Sequence, residues 1–115
     1  MRTYQPFSLP THGAIEFLAG LVMMLVPAAL SFAAVPLLVC VLLGAVLAGS
    51  SLSLTAQRTT SIHAHTAFDT AFPLVTALAA LALAAAGQIG AVVLLATIVV
   101  VQAALGFTTR YVSAE

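Results

Sequence analysis

Four long apolar stretches, parted by short polar or turn-forming segments, organise the chain. They run over about 12–31, 36–55, 62–86 and 89–107, and none contains Lys or Arg. About 20 apolar residues in a helix cross a ~30 Å hydrocarbon core, so the pattern predicts four transmembrane helices. Thr11 is placed to cap the first and Thr60 or Ser61 the third, while Pro6 and Pro10 read as helix-opposing residues of a short lead-in. Tyr4 and Phe7 in that lead-in suit the headgroup layer. A tight turn is expected around Ser31–Val35, with Pro36 in the first turn of the second span. Gly87 reads as the C-cap of the third span, with Gln88-Ile89-Gly90 completing a very short turn. Pro27 and Pro73 fall inside spans, where a bundle tolerates a missing hydrogen bond and a kink is expected.

Two segments break the apolar pattern in the same way. His12-Gly-Ala-Ile-Glu16 opens the first span, and His65-Thr-Ala-Phe-Asp69 opens the third, 53 residues later. Four-residue spacing puts each histidine and its carboxylate on one helix face, roughly 6 Å apart along the axis. The chain therefore reads as an all-α membrane protein, a single domain over 1–115. It is built as two pseudo-repeated helical hairpins (about 11–58 and 64–111) about a pseudo-two-fold axis along the membrane normal.

Two readings of the pairs stand side by side. In one, each pair caps its own helix, the carboxylate favouring the helix dipole. In the other, His12, Glu16, His65 and Asp69 meet across the bundle, with Gln102 and Ser50 approaching the same depth as outer partners. Such a cluster could hold zinc, iron or manganese, and His12 with His65 could also bracket a haem iron. His63 lies about 200° from His65 on an ideal helix and faces elsewhere.

Small residues supply the packing expectation. Gly44, Ala48, Gly49 and Ser53 on the second span would let helix backbones approach closely in lipid. A water-lined path along Ser50, Ser51 and Ser53 is the rival reading. Met23 and Met24 read as packing residues, and Cys40 as an inert buried thiol.

Composition narrows the class. Hydrophobic residues make up 63% of the chain and charged residues 5%, against about 25% charged in a typical soluble domain. Zero formal net charge and no basic patch argue against nucleic-acid binding. The single cysteine excludes an intramolecular disulfide. The first run, long and containing Glu16, reads as a retained span rather than a signal peptide. Arg2, Arg58 and Arg110, the only basic residues, all fall on the side of the termini and the 56–61 link. The positive-inside rule makes that side cytoplasmic.

Leu18-Ala-Gly-Leu-Val-Met-Met-Leu-Val-Pro-Ala-Ala-Leu-Ser-Phe32 resembles the first-helix pattern of the SPW-repeat membrane proteins. Gly20, Pro27 and Phe32 match that pattern; Val26 and Ala28 stand at its Ser and Trp positions, and Ala80 at the proline of the second repeat. The resemblance implies a four-span protein of a bacterial cytoplasmic membrane and carries no reaction. With no nucleophile triad, phosphate loop or extramembrane domain, the leading expectation is a non-catalytic accessory or self-associating subunit. Its partners would be the bilayer and further copies or a larger membrane complex. A haem- or metal-binding redox protein is the alternative, and a proton or small-ion pathway a third, disfavoured by the apolar outer half.

Overall fold

A computed structural model describes residues 8–52 and 62–109. Among them run four helices, α1 (Leu9–Ala29), α2 (Ala34–Leu52), α3 (Ile62–Ala85) and α4 (Ile89–Thr108). All four are long and apolar enough to cross a membrane. The protein is an integral-membrane helical bundle. Residues 1–7 of the lead-in, Ser53, the polar link, the three arginines and the side chain of His63 lie outside what is described.

The helix ends follow from local chemistry. α1 begins earlier than a Thr11 cap would allow. Ser8 is the cap, its Oγ accepting from the Thr11 backbone N–H at 3.3 Å. Pro10 then lies in the first turn, where a residue without an N–H leaves nothing unsatisfied. α1 and α3 end in the same way. The Phe32 N–H reaches the Pro27 carbonyl (2.9 Å) and the Ser31 N–H that of Ala28 (3.2 Å). In α3 the Gln88 N–H reaches Leu83 (2.9 Å) and the Gly87 N–H reaches Ala84 (3.0 Å). This double bond pattern needs one left-handed residue just past the helix. Gly87 takes it freely at φ 77°, and Ser31 takes it at φ 57° despite its Cβ. Both helices run on through their prolines, Pro27 and Pro73.

Each helix buries one narrow stripe. On α1 it comprises His12, Gly13, Glu16, Gly20, Met23 and Pro27, and on α4 Ala91, Leu95, Ile98, Gln102, Leu105 and Thr109. Steps of three and four keep these on one face. The opposite faces carry Leu18, Leu25, Leu42, Leu78 and Val100, all more than half exposed. In a bilayer the apolar faces outward are solvated by lipid, so the ionisable side chains His12, Glu16, His65 and Asp69 are turned in.

α1 packs most extensively on α2 and α3 on α4, while α1 and α3 touch only sparsely among the described residues. The α1–α2 seam is backbone against backbone. A Cβ on Gly20 would stand 2.7 Å from the Gly44 carbonyl oxygen and 2.8 Å from the Ala48 nitrogen, and one on Gly44 would stand 2.7 Å from the Gly20 carbonyl oxygen. Gly44 and Ala48 thus sit in the seam. Gly49, grouped with them on sequence spacing, faces outward with nothing within 4 Å of a Cβ. Met23, Cys40, Leu47, Phe72, Leu95 and Ile98 fill the apolar core between the pairs.

Gly20→Ala and Gly44→Ala are therefore expected to destabilise the bundle by about 1–3 kcal/mol, the usual scale of overpacking. Gly49→Ala is expected to be neutral or to stabilise by up to ~1 kcal/mol, since it restricts the unfolded chain without meeting a neighbour. Unfolding of the three variants in one detergent separates the seam from the lipid face.

Candidate metal centre

His12 and Glu16 leave α1 on its buried stripe, and His65 and Asp69 leave α3 on its own. Both imidazoles and Glu16 are buried, at 0–1% exposure. The Asp69 side chain is 7% exposed. The four meet in an alternating ring. His12 Nε2 lies 2.8 Å from Asp69 Oδ2 and 3.2 Å from Glu16 Oε2. His65 Nε2 lies 3.0 Å from Glu16 Oε1 and 3.3 Å from Asp69 Oδ1. Each imidazole faces both carboxylates, and each carboxylate divides its oxygens between both imidazoles. The contacts across helices are the shorter ones. Nor does either carboxylate lie in a first helical turn, where the helix dipole is felt. The geometry selects the converging arrangement over two separate caps.

The other ring nitrogens are held by hydroxyls. His12 Nδ1 is 2.7 Å from Thr109 Oγ1, and His65 Nδ1 is 3.3 Å from Ser50 Oγ. With the proton on Nδ1, each ring donates to its hydroxyl and presents the Nε2 lone pair to the ring of four. The imidazoles meet edge to face with centroids 5.6 Å apart, and Phe68 lies against His65 at 5.8 Å before stacking on Phe72 at 5.1 Å.

One donor atom from each of the four residues falls within 4.8 Å of every other. Two imidazoles and two carboxylates so arranged can coordinate a metal ion. Electron-pair donors this close need positive charge among them, as protons or as a cation.

This cluster overturns the expectation of a purely non-catalytic accessory or self-associating subunit. Helix packing alone gives no reason to bury two carboxylates and two imidazoles, since small apolar residues do that work at lower free energy.

Of the outer residues named from sequence, Ser50 touches His65, whereas the Gln102 side-chain amide makes no hydrogen bond to the cluster or to any other described residue. Ser51 turns back to its own helix, donating to the Ala48 carbonyl at 2.7 Å. Thr109 was not among the sequence candidates. The signal for it was its place in the stripe, seven residues on from Gln102. No protein-family model matches the chain, and neither does any curated protein or solved structure.

Where protons supply that positive charge, removing one carboxylate charge strands the imidazolium that faced it. Glu16→Gln and Asp69→Asn should each destabilise by about 3–5 kcal/mol, the scale for breaking a buried pair. Because both carboxylates face the same two rings, the double variant should lose less than the sum, by more than ~0.5 kcal/mol. Thermal unfolding of the four proteins in one detergent measures the difference.

Proposed function

We propose that this chain is a metal-binding integral membrane protein. His12, Glu16, His65 and Asp69 hold one divalent first-row transition ion between α1 and α3. The observation that carries the reading is the convergence of four donor atoms within 4.8 Å, inside a bundle whose other buried side chains, among the described residues, are uncharged. Around a tetrahedral ion with ligands at ~2.1 Å, neighbouring donors stand about 3.4 Å apart. The nitrogen–oxygen contacts of 2.8–3.3 Å use both oxygens of each carboxylate, and one donor from each residue lies within 4.8 Å of the others, so side-chain adjustment brings four donors to coordinating distance.

Charge supports the same reading. Two carboxylates and two neutral imidazoles carry two formal negative charges, which one divalent cation balances. Nitrogen and oxygen donors without thiolate favour zinc, iron(II) or manganese(II) over copper(I). Haem fits poorly. A porphyrin between the two imidazoles would overlap the Glu16 and Asp69 carboxylates, whose oxygens lie within 3.3 Å of both Nε2 atoms.

The sequence positions of Arg2, Arg58 and Arg110 support a site in the cytoplasmic leaflet, with both termini cytoplasmic, by the positive-inside rule. The recurrence of His-x-Ala-x-acid after 53 residues supports a duplicated two-span unit that builds one site from two halves.

Metal analysis of the protein purified in detergent, after loading with manganese, iron(II) or zinc and removal of excess, tests the reading. About one ion per chain is expected, and His12→Ala or His65→Ala should abolish it. Thr109→Val and Ser50→Ala should weaken affinity by ~10–100-fold, the usual effect of removing a partner that orients a ligand. A wild-type protein that retains none of the three ions, in a folded state, overturns the proposal.

A further inference from the structure

Two buried polar side chains lie deeper in the bundle than the metal centre, and the centre does not use them. Thr76 on α3 has no exposure, and Gln102 on α4 has 2%. The Thr76 hydroxyl and both ends of the Gln102 amide have no hydrogen-bond partner among the described residues. Hydroxyls in a helix usually escape this by donating back one turn. Thr70, Thr97 and Thr108 do so at 2.6–3.2 Å, as does Ser51. Thr76 does not, although it stands in the same kind of helix.

The positions of the two correspond. Asp69 and Thr109 both touch the His12 ring, from α3 and α4 respectively. Thr76 follows Asp69 by seven residues, and Gln102 precedes Thr109 by seven. Seven residues are ~10 Å of helix. Because α3 enters the bilayer from the centre and α4 returns to it, both steps lead inward. Helical side chains lean toward their own N-terminus. Thr76 therefore leans back toward the centre and Gln102 away from it, and their polar ends lean into one layer.

We propose that Thr76 and Gln102 form a water-binding site within the bundle, about two helical turns inward of the metal centre. A water molecule there accepts from one amide N–H, donates to the amide oxygen and exchanges a hydrogen bond with the Thr76 hydroxyl. About three bonds is what a buried water typically makes. The site turns three unsatisfied atoms in hydrocarbon into a closed set, and it extends the polar interior from the metal centre toward the middle of the membrane. It rests on the burial and bonding of these two side chains and is independent of whether an ion occupies the centre.

Water-to-protein magnetisation transfer in the full chain, labelled with ¹⁵N-glutamine and reconstituted in lipid bilayers, tests the site. The chain has Gln5, Gln57, Gln88 and Gln102, and Gln102→Leu identifies the peak that belongs to the buried amide. In the wild type the Gln102 side-chain amide is expected to receive magnetisation from water. Thr76→Val should remove that transfer, while Thr76→Ser retains it, with the other glutamine peaks unmoved as the control for folding. If Thr76→Val does not fold, Thr76→Ala removes the same hydroxyl with less bulk. A wild-type Gln102 amide that receives nothing from water overturns the proposal. So does a transfer unchanged when the Thr76 hydroxyl is gone. Either result leaves the metal reading standing, because metal content is measured separately.

Discussion

Charge in hydrocarbon is the constraint to which this bundle is fitted. An isolated carboxylate or imidazolium inside a bilayer is strongly unfavourable, and its free energy falls only when an opposite charge or a set of donors sits against it. Glu16 and Asp69 meet that condition by crossing to the other helix. The shortest contacts, 2.8 Å and 3.0 Å, join α1 to α3 rather than neighbours on one helix. Thr109 and Ser50 add hydrogen bonds from α4 and α2. All four helices thus reach the same few ångströms, and the polar ring ties the α1–α2 pair to the α3–α4 pair where direct α1–α3 packing is sparse.

The rest of the packing makes that meeting possible. Four side chains and a potential ion need width between α1 and α3, so those helices stand apart. The compensating closeness lies elsewhere, at the α1–α2 seam, where Gly20, Gly44 and Ala48 bring backbone against backbone. Gly44 on α2 meets α1 at Gly20, about one turn inward of Glu16, and Ser50 on the same helix reaches His65. A rigid seam therefore fixes α2 relative to α1, and α2 in turn orients an imidazole on α3. Ligand geometry held by packed helices is more reproducible than geometry held by loops.

Much of this was legible in the chain, for reasons that also mark the limit. Four Lys- and Arg-free runs specify four spans, because only helices of that length satisfy their backbone in lipid. The four-residue spacing in His12–Glu16 and His65–Asp69 specifies that each pair shares a face. Which faces meet was not legible, since lipid-facing and core-facing positions are equally apolar and the usual inside–outside contrast vanishes. Gly49 shows the consequence: it has the spacing of a seam residue, yet a rotation of about 100° from Ala48 turns it outward. Thr109 shows another. Its bond to His12 spans 97 residues, and nothing local to either marks the contact. Ser8 displaced Thr11 as the cap because Pro10 is as acceptable in a first turn as outside it. The function expected first failed for a related reason. Ionisable residues near span ends are tolerated singly, so their presence does not announce that they converge.

The form of the ring bears on which ion it would favour. Each carboxylate presents one oxygen to each imidazole, so neither acts as a simple single-atom donor. A small tetrahedral ion would draw one oxygen from each and leave the other two unligated. A larger ion could take both oxygens of each carboxylate and reach six protein donors without solvent. Zinc suits the first arrangement, and manganese or iron(II) the second. The donor set alone does not choose between them. The choice falls to how far α1 and α3 separate, because four donors around zinc need less room than six around manganese. In the proposed metal-bound form, selectivity would thus depend on the packing that sets this separation as much as on the ligands.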